Sequence, residues 1–505
     1  MRDVVVVGSG PNGLAAAVVL ARAGLDVLVL EGQPTVGGGA RTLPLVTDTV
    51  TEAEGLLRDV CAAIPAAAPS SPFMTSFDLA ARGVELIVPE VSYAHPLPDG
   101  RAGVAHRDLS RTVEQLGADG PCWRRLLGPL AEHPRELADL VLSDKRGAPL
   151  DADGGMSLGP RHLATAAHLT RTMTELSHRA FDRAWATPEG HALITGVAAH
   201  TIGRLPSLGS AGAAAYLAAL AHADGWPVVR GGIGAITRAL ADDVLAYGGQ
   251  IRTGHQVRSR ADLPDARAHV FDTHPHVLAA MLAGPARSRL RAVPAGGAAC
   301  KLDFVLSGPV PWTHPDVARA GTVHVGGTVQ EARAAEAEVA AGRHADRPVM
   351  LVSDPAEHDR GRIGRSGLRP LWAYAHVPLG SDQDVRAAAQ AQLERFAPGF
   401  TDLVVDVQVT PAARMSAHNA ALPLGDISGG AVSAWRMVAR PTASVDPYLV
   451  APGIYLCSSS TPPGPGVHGM SGWHAARRVL RREFGITTLP DLAPGRRPRP
   501  APAPR

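Results

Sequence analysis

The sequence predicts an α/β protein that begins with a Rossmann-like dinucleotide-binding unit. Three observations predict this class: an apolar run at 4–7, the turn Gly8-Ser9-Gly10-Pro11-Asn12-Gly13, and a second apolar run at 27–30 that ends in Glu31. Continuous runs of β-branched residues are typical of buried parallel strands, and the Ala- and Leu-rich stretch 14–23 predicts the helix that crosses back over the sheet. The unit is therefore βαβ.

Each glycine of the first turn has a predicted task at the cofactor. Gly8 lets the chain turn, Gly10 lets the backbone approach a pyrophosphate, and Gly13 lets the helix pack on the strand. Free N–H groups and the positive end of the helix dipole attract the phosphates. Glu31, at the end of the second strand, is expected to accept a hydrogen bond from a ribose hydroxyl.

A second glycine turn distinguishes between the two dinucleotide cofactors. Residues 36–42 read Val-Gly-Gly-Gly-Ala-Arg-Thr and begin just beyond the acid. The pyrophosphate and ribitol of FAD extend away from its adenosine and need covering by backbone and one cation, which this turn and Arg41 would supply. The sequence therefore predicts FAD rather than NAD. The predicted contacts from the two turns are Gly8, Ser9, Gly10, Asn12, Gly13, Glu31, Gly37, Gly38, Gly39 and Arg41.

Length, composition and charge narrow the class of protein. The chain has 505 residues, 45% of them hydrophobic, and a formal net charge of +2. This length exceeds one core and predicts two or three domains, and the near-neutral charge argues against a nucleic-acid partner. The four cysteines, Cys61, Cys122, Cys300 and Cys457, form no Cys-x-x-Cys pair. Their scatter argues against a dithiol reductase and a zinc site, and it suits a reducing cytoplasm.

Membrane spans, leaders and metal sites are also not expected. The charge-free stretch 205–223 is long enough to span a bilayer, but it is mostly Ala, Gly and Ser and contains Pro206 and His222. Asp3 already leads into the first strand, so no signal peptide is expected. No His-Glu-x-x-His, His-x-x-Glu-His or paired-cysteine spacing occurs, which excludes the common metal motifs.

Further motifs along the chain resemble those of a known family. They are GSGPNGLAAA at 8–17, VGGGART at 36–42, DVCAAIP at 59–65, SPF at 71–73, HPLPDGRA at 95–102, GWPVVRGGIGAI at 225–236, GTVHVGGT at 321–328, LWAYAHVPLGS at 371–381, GDISGG at 425–430 and IYLCSSSTPPGPGVHGMSGWHAAR at 454–477. Together they resemble FAD-dependent oxidoreductases of the phytoene desaturase type, within the amine oxidase-like flavoproteins. The resemblance is greatest to bacterial relatives of pyridine nucleotide-disulfide oxidoreductase domain-containing protein 2, and it runs from Asp3 to about Phe484.

The resemblance implies a Rossmann-like FAD-binding domain with an inserted α+β substrate domain. The FAD-binding domain would comprise 1–90, 223–290 and 416–487, and the substrate domain 91–222 and 291–415. Strands are expected at 299–306, 349–352 and 371–377, in a sheet that floors the substrate pocket. The Pro-, Arg- and Ala-rich tail 490–505 is expected to be disordered because it offers almost no apolar side chain to bury.

The resemblance also implies cofactor contacts far from the N-terminus. In the family the residue at Val257 packs over the adenine through its backbone, although an ordinary buried valine is the alternative. Ser459 stands in a serine run where many relatives carry an acid that holds the ribitol. Asp272-Thr273-His274-Pro275 departs from the Ala-Thr that usually ends the corresponding strand, which puts the contacts there in doubt.

The last motif is expected to reach the flavin ring. Its glycine-rich turn leads into a helix predicted at 473–482, and in the family such a turn stabilises the negative charge of the reduced ring near N1 and the C2 carbonyl. Val467, His468 and Met470 are the implied contacts. His468 is also the candidate catalytic acid or base, because imidazole exchanges protons near neutral pH. Hydride transfer to flavin N5 needs no side-chain base, so this role stays open.

The implied activity is that of an FAD-dependent dehydrogenase, desaturase or isomerase that transfers hydride from a mainly apolar small molecule to flavin N5. Oxygen, quinone and NAD(P) stay open as electron acceptors. One alternative is a flavin amine oxidase, which uses an aromatic cage and a lysine beside the flavin; 4% aromatic residues and Lys301 as the one plausible lysine speak against it. The other alternative is a non-catalytic FAD-binding regulatory protein.

One helix leaves peripheral membrane contact open. Apolar residues recur at three- and four-residue steps from Leu163 to Ala180, which predicts one face of an amphipathic helix. This face is expected to belong to the core. Its alternative is an interfacial helix that would carry a cytoplasmic enzyme to isoprenoids dissolved in a bilayer, because desaturases of this family act on such molecules.

Overall fold

The computed structural model describes residues 1–144 and 159–495. The strands in chain order are β1 (Arg2–Val7), β2 (Val27–Leu30), β3 (Thr42–Pro44), β4 (Leu57–Asp59), β5 (Leu86–Ile87), β6 (Val91–Pro96), β7 (Ala102–His106), β8 (Val228–Val229), β9 (Gln250–Arg252), β10 (Ala266–Phe271), β11 (Ala298–Leu306), β12 (Ala320–Val325), β13 (Met350–Ser353), β14 (Arg369–Val377), β15 (Val404–Thr410), β16 (Leu449–Ala451) and β17 (Ile454–Leu456).

The α-helices, in the same order, are α1 (Pro11–Arg22), α2 (Pro72–Phe77), α3 (Leu109–Gln115), α4 (Gly120–Ala131), α5 (Pro134–Val141), α6 (Pro160–Leu176), α7 (Pro188–Ala198), α8 (Leu208–Ala223), α9 (Gly234–Ala246), α10 (Pro275–Ala280), α11 (Gly284–Arg291), α12 (Pro315–Ala318), α13 (Val329–Ala340), α14 (Pro355–His358), α15 (Arg386–Glu394), α16 (Phe400–Leu403), α17 (Met415–His418), α18 (Ala434–Val438) and α19 (Met470–Phe484).

The first sheet is the Rossmann-like sheet that the sequence predicts. Its strand order is β16-β17-β10-β1-β2-β9, and β1 pairs in parallel with both β2 and β10. The apolar run at 4–7 is buried on both faces. Val4 and Val6 belong to a cluster with residues of α1, α9 and α19, and Val5 and Val7 belong to a second cluster with Leu278 of α10 and Leu290 of α11. This is the layered arrangement of a doubly wound α/β protein, and the predicted fold class is confirmed.

The second sheet is larger and mostly antiparallel. Its order is β15-β11-β14-β13-β12-β6-β7, with β12 and β6 as a parallel pair. The strands expected at 299–306, 349–352 and 371–377 are present as β11, β13 and β14, which are neighbours. One face of this sheet buries its own apolar core, and the other face meets helices and residues 61–64 of the first domain.

The two sheets draw on interleaved parts of the chain. The first sheet takes its strands from 2–30, 250–271 and 449–456, and the second takes them from 91–106 and 298–410. A crossing chain of this kind places loops from all parts of the sequence at the junction of the sheets. The exact domain boundaries stay a prediction.

The C-terminal end differs from the expected disordered tail at 490–505. Leu492 is 5% exposed and belongs to the same core cluster as α1. Arg22 donates to the carbonyls of Asp491 and Ala493 at 2.9 and 3.1 Å, and Arg82 donates to the carbonyl of Leu492 at 2.9 Å. The chain is therefore docked as far as Ala493, and 496–505 lie outside the described residues.

Helix α6 carries only part of the predicted apolar face. Leu169, Met173 and Leu176 pack against buried clusters, whereas Leu163 is 60% exposed. Ala180 is also exposed, and it lies beyond the end of the helix at Leu176. The charge-free stretch 205–223 forms α8, which contacts α4, α6 and α7. Across 1–144 and 159–495, no helix combines the length and the apolar character that a bilayer crossing requires.

Candidate functional site

A large cavity opens at the carboxyl edge of the first sheet. It comprises about 1270 Å³ of space free of protein atoms, the solvent at its mouth included. Its walls come from the two glycine turns, the end of β2, the loops after β9 and β10, residues 418–422, and the turn before α19. Ligands of open parallel sheets bind at the carboxyl ends of the strands, where successive connections diverge. The cavity occupies that position.

The first glycine turn leaves no room for side chains. Gly8 has a φ of +96°, and a Cβ there would lie 2.6 Å from the carbonyl oxygen of Asp272. A Cβ on Gly10 would lie 2.5 Å from Oδ2 of the same aspartate. Helix α1 follows at Pro11, and Gly10 provides no side-chain cap. In the first turn of α1, the N–H of Gly13 is donated to Oδ2 of Asp272 at 2.8 Å. A helix start beside a side-chain-free turn is typical of anion-binding sites.

Glu31 lies at the cavity wall, held in place by the first turn. One of its oxygens accepts hydrogen bonds from the N–H and hydroxyl of Ser9, at 2.9 and 2.5 Å. The other oxygen accepts from the N–H of Gln33 at 2.8 Å. The residue is 7% exposed and lines the cavity. Its position is fixed, and the oxygen that accepts from Gln33 has a further lone pair for a ligand.

The second glycine turn packs directly on the first. Gly37 donates its N–H to the carbonyl of Ser9 at 2.9 Å, and a Cβ on Gly38 would lie 2.8 Å from the Cα of Gly10. Gly38 and Gly39 line the cavity. Arg41 is buried and does not line it, because its guanidinium donates to the carbonyls of Gly38 and His418, at 2.9 and 2.5 Å. Arg41 therefore joins this turn to the last residue of α17.

Residues from distant parts of the sequence complete the walls. Val257, which is 4% exposed, and Ser459 both line the cavity. So do Gly8, Ser9, Gly10, Asn12 and Val467 of the predicted set, whereas Gly13, Gly37, Arg41, His468 and Met470 lie behind the lining.

The turn before α19 is organised by the side chain of His468. Its Nδ1 accepts the N–H of Met470 at 3.1 Å, and its Nε2 lies 3.2 Å from the carbonyl of Gly464. Burial lowers the pKa of His468 to about 4. The imidazole is neutral and faces its own turn, and the Met470 N–H that was expected at the flavin is donated to that ring. Pro465, Gly466 and Val467 are the residues of this turn that face the cavity.

Asp272 is the functional residue that motif reasoning missed. Its Oδ2 accepts the N–H of Gly13 at 2.8 Å, inside the first turn of α1, and the side chain lines the cavity. Burial raises the pKa of Asp272; the Gly13 N–H opposes this rise and the Glu31 carboxylate adds to it, and the resulting pKa is about 7. The departure from Ala-Thr at 272–273 was the available signal.

The cavity meets the second sheet through an apolar wall. Ile64 and Ile427 line the cavity, and each packs against a buried apolar cluster that Tyr374 of β14 also contacts. Leu422 lines the same space. Lys301 does not line it: its ammonium is paired with the carboxylate of Asp303 and both side chains are buried. Among the described residues, no group of three His, Cys, Asp or Glu has the geometry to hold a metal ion.

Comparison with known proteins agrees with this architecture. A family model described as an NAD(P)-binding Rossmann-like domain matches residues 6–59. The chain is 28% identical over 553 aligned positions to an uncharacterized protein of Mycobacterium tuberculosis, covering 95% of this chain and 97% of that protein. It is 23% identical to rat pyridine nucleotide-disulfide oxidoreductase domain-containing protein 2, covering 95% and 93%.

Comparison with solved structures finds proteins of the same fold. Putrescine oxidase bound to putrescine aligns over 95% of this chain and 99% of that chain, with a TM-score of 0.58 and 17% identity. At this identity the likeness establishes the fold alone. The fold is that of this amine oxidase, with the Rossmann-like domain at the N-terminus and the second sheet against its cavity.

Proposed function

We propose that this chain, an oxidoreductase with a Rossmann-like dinucleotide-binding domain, is an FAD-dependent enzyme of the phytoene desaturase type that oxidises a mainly apolar small molecule. FAD, when bound, supplies N5 as the hydride acceptor. The observation that carries the proposal is the cavity at the carboxyl edge of the first sheet. It brings both glycine turns, Glu31 and the turn at 465–467 into one site.

The residues present fit FAD. The start of α1 and the side-chain-free surfaces of Gly8 and Gly10 would hold the pyrophosphate, although the Gly13 N–H of that start is donated to Asp272. Glu31, fixed by Ser9, would accept from the ribose, and the backbone at Val257 would lie against the adenine. Residues 418–422, which Arg41 anchors through the carbonyl of His418, form one side of the cavity.

The apolar substrate is supported by the wall on the side of the second sheet. Ile64, Leu422 and Ile427 supply apolar side chains there, and the cavity's carboxylates, Glu31 and Asp272, belong to the first sheet. An apolar wall excludes water and favours burial of hydrocarbon. The four isolated cysteines have free thiols, which supports a reducing, cytoplasmic setting.

A flavin amine oxidase is less well supported by the same wall. That chemistry needs a lysine close to the ring, and the Lys301 ammonium is occupied by Asp303 and by the carbonyl of Leu302 at 3.2 Å. It also lies 5.1 Å above the ring of Trp372, behind the cavity lining. Lys301 would have to leave a buried ion pair to act at the flavin.

The function is tested by reduction and reoxidation of the purified protein. We expect the reduced flavin to be reoxidised by a quinone faster than by oxygen, as a desaturase-like dehydrogenase requires. Rapid oxygen consumption with putrescine as substrate would instead identify an amine oxidase. A flavin that no acceptor reoxidises and no apolar substrate reduces would point to a non-catalytic protein.

A further inference from the structure

Arginines are concentrated on one surface beside the first sheet. Residues 258–291 carry six arginines and three aspartates, and they contain no lysine or glutamate. This excess of positive charge is larger than the formal net charge of +2 of the whole chain. The six side chains are all exposed, and we call the surface that they form the arginine face: Arg258, Arg260, Arg267, Arg287, Arg289 and Arg291.

The arginine face lies on one layer that covers the first sheet. Helices α10 and α11 pack against each other, and Leu278 of α10 and Leu290 of α11 share one buried cluster with β1. Leu263, which follows Arg260 in the chain, packs against the same cluster. Arg267 lies at the start of β10, beside this layer. Because the apolar side chains of the layer point to the sheet, its arginines point to solvent.

The guanidinium groups of this face are not neutralised by ion pairs. Among the described residues, none of the six arginines forms an ion pair, and the guanidinium of Arg267 lies 4.7 Å from the ring centroid of Phe484. The carboxylate of Asp262 is held instead by backbone N–H groups at 2.8 and 2.9 Å. Arg343, by contrast, is an exposed arginine that is paired with Glu338 at 2.6 Å. Exposed cations at this density attract an anionic partner.

A pocket opens within the arginine face, at the edge of the first sheet where β10 and β17 begin. It comprises about 770 Å³ of space free of protein atoms, the solvent at its mouth included. The exposed side chains of Arg260 and Arg267 line it, and Asp265 is the one carboxylate among the described residues of its lining. Its walls include four half-buried apolar side chains: Leu263, Met281, Leu282 and Ile454. An apolar depression between two guanidinium groups suits an apolar side chain that is flanked by carboxylates.

The pocket and the cofactor cavity lie at opposite edges of the first sheet. Strands β10 and β17 run in parallel, and the residues at which they begin line the pocket. The cofactor cavity is lined by Asp272 and Ser459, beyond the carboxyl ends of the same two strands. A partner bound to the arginine face therefore leaves the cofactor cavity open.

The composition of the arginine face favours a protein partner over a membrane. Every residue from 258 to 291 is described, and none of the large apolar side chains in this range is exposed. Helices that lie on a membrane bury exposed apolar side chains in it beside their basic ones. Guanidinium groups are planar forks that pair with carboxylates through two hydrogen bonds, and arginine is enriched in protein interfaces.

We propose that the arginine face docks an acidic segment of another protein, and that one bulky apolar side chain of this segment enters the pocket between Arg260 and Arg267. Carboxylates of the partner pair with the guanidinium groups around the pocket and steer its approach. The apolar side chain supplies the anchor, as buried side chains at the centre of interfaces do. This docking surface goes beyond the proposed function and is independent of the cofactor.

The docking surface is tested with the full chain and a fluorescein-labelled peptide, a run of glutamates with one phenylalanine at its centre. We expect Arg260→Glu/Arg267→Glu to weaken peptide binding about tenfold or more. Arg161→Glu/Arg179→Glu makes the same change in net charge at exposed arginines in and just after α6. This control should bind the peptide like the parent protein. An equal loss in both variants would reduce the effect to net charge and overturn the docking surface.

The pocket is tested by replacing the phenylalanine of the peptide with alanine. We expect the parent protein to bind the alanine peptide several-fold more weakly, and Met281→Gln, which makes the pocket wall polar, to lose this preference. Leu282→Gln serves the same purpose if the melting temperature shows that Met281→Gln is unfolded. Equal affinity of the parent protein for both peptides would overturn the anchor.

Vesicles of phosphatidylglycerol distinguish a protein partner from a membrane. We expect the parent protein to bind the phenylalanine peptide more tightly than these vesicles. Vesicles that bind more tightly than the peptide, and that lose binding in Arg260→Glu/Arg267→Glu, would overturn the protein partner in favour of a membrane surface.

Discussion

The N–H of Gly13 lies 2.8 Å from Oδ2 of Asp272, so a carboxylate from the end of β10 occupies a donor at the start of α1. The same oxygen lies against Gly10, where the pyrophosphate of a dinucleotide is expected. Glu31 and the thiol of Cys457 also lie near this carboxylate, and neither offsets its charge. The ionised Asp272 carboxylate would therefore repel a pyrophosphate that binds at Gly10 and the start of α1.

The first prediction is that FAD affinity depends on pH through Asp272. Its pKa is raised to about 7, so the ionised carboxylate above that pH repels the pyrophosphate and binding must take up a proton. The dissociation constant should rise about tenfold per pH unit above neutral. Asp272→Asn keeps the acceptor for Gly13 and should abolish this dependence in equilibrium titrations. An unchanged slope in the variant would assign the proton to another group.

Asp272 also makes the stability of the cofactor-free protein depend on pH, in a definite direction. Because its folded pKa lies above the ordinary value of 3.8, its contribution to stability is complete below that value and is lost as the pH rises through about 7. Between pH 3.8 and about 7, the melting temperature of cofactor-free Asp272→Asn should therefore fall less than that of the cofactor-free parent protein.

The second prediction concerns Glu31. Removing its carboxylate deletes a charge-assisted hydrogen bond to the ribose, so Glu31→Ala should weaken FAD binding by about 1.5–3 kcal/mol, or tenfold or more. Ser9 and Gln33 also lose their acceptor. Glu31→Gln, which keeps the shape, should retain part of the affinity. Titrations in which Glu31→Ala binds FAD like the parent protein would place the ribose elsewhere.

The third prediction is that residues 490–495, which are docked, contribute to the stability of the fold. A chain ending at Leu489 lacks Leu492, which is 5% exposed, and the carbonyls that Arg22 and Arg82 bind. Burial of one leucine contributes about 1.5–3 kcal/mol, so the melting temperature should fall by several degrees. A chain ending at Gly495 is the control and should melt like the full chain. Equal melting of all three chains would show that the docking contributes nothing.

The fourth prediction assigns a positioning role to His468. Its Nδ1 accepts the Met470 N–H, its Nε2 lies against the carbonyl of Gly464, and its pKa is lowered to about 4, so near neutral pH the ring is neutral and both nitrogens have partners within the turn. His468→Ala should lower the melting temperature by loosening the start of α19, and His468→Asn, which can accept the same N–H, should restore part of it. The shape of the pH profile of kcat/KM should not change. Loss of one limb of that profile would make His468 catalytic.

The sequence predicted the first βαβ unit because strand, glycine turn, helix and acid are local patterns with one structural solution. Gly8, Gly10 and Glu31 follow directly from it and lie at the cavity. The strands of the second sheet were predicted in place, but their order was not, since pairings between β12 and β6 join residues over 200 positions apart and leave no local signal.

The remainder of the site depends on tertiary contacts. Arg41 matches the position of a cofactor cation, yet two backbone carbonyls far apart in sequence hold it behind the cavity. His468 turns inward because the local turn offers it two partners. Disorder of the tail was predicted from its overall composition, in which a single leucine changes little. In the structure Leu492 is nevertheless buried.

The central claim is tested most directly by the cofactor that the cavity binds. We expect the protein to purify yellow, or to become so on reconstitution, with one FAD per chain identified by mass spectrometry after denaturation, and Asp272→Asn to retain FAD more tightly than the parent protein at alkaline pH. A colourless protein that takes up no FAD and instead binds NAD in equilibrium dialysis, with Glu31→Ala abolishing that binding, would contradict the account.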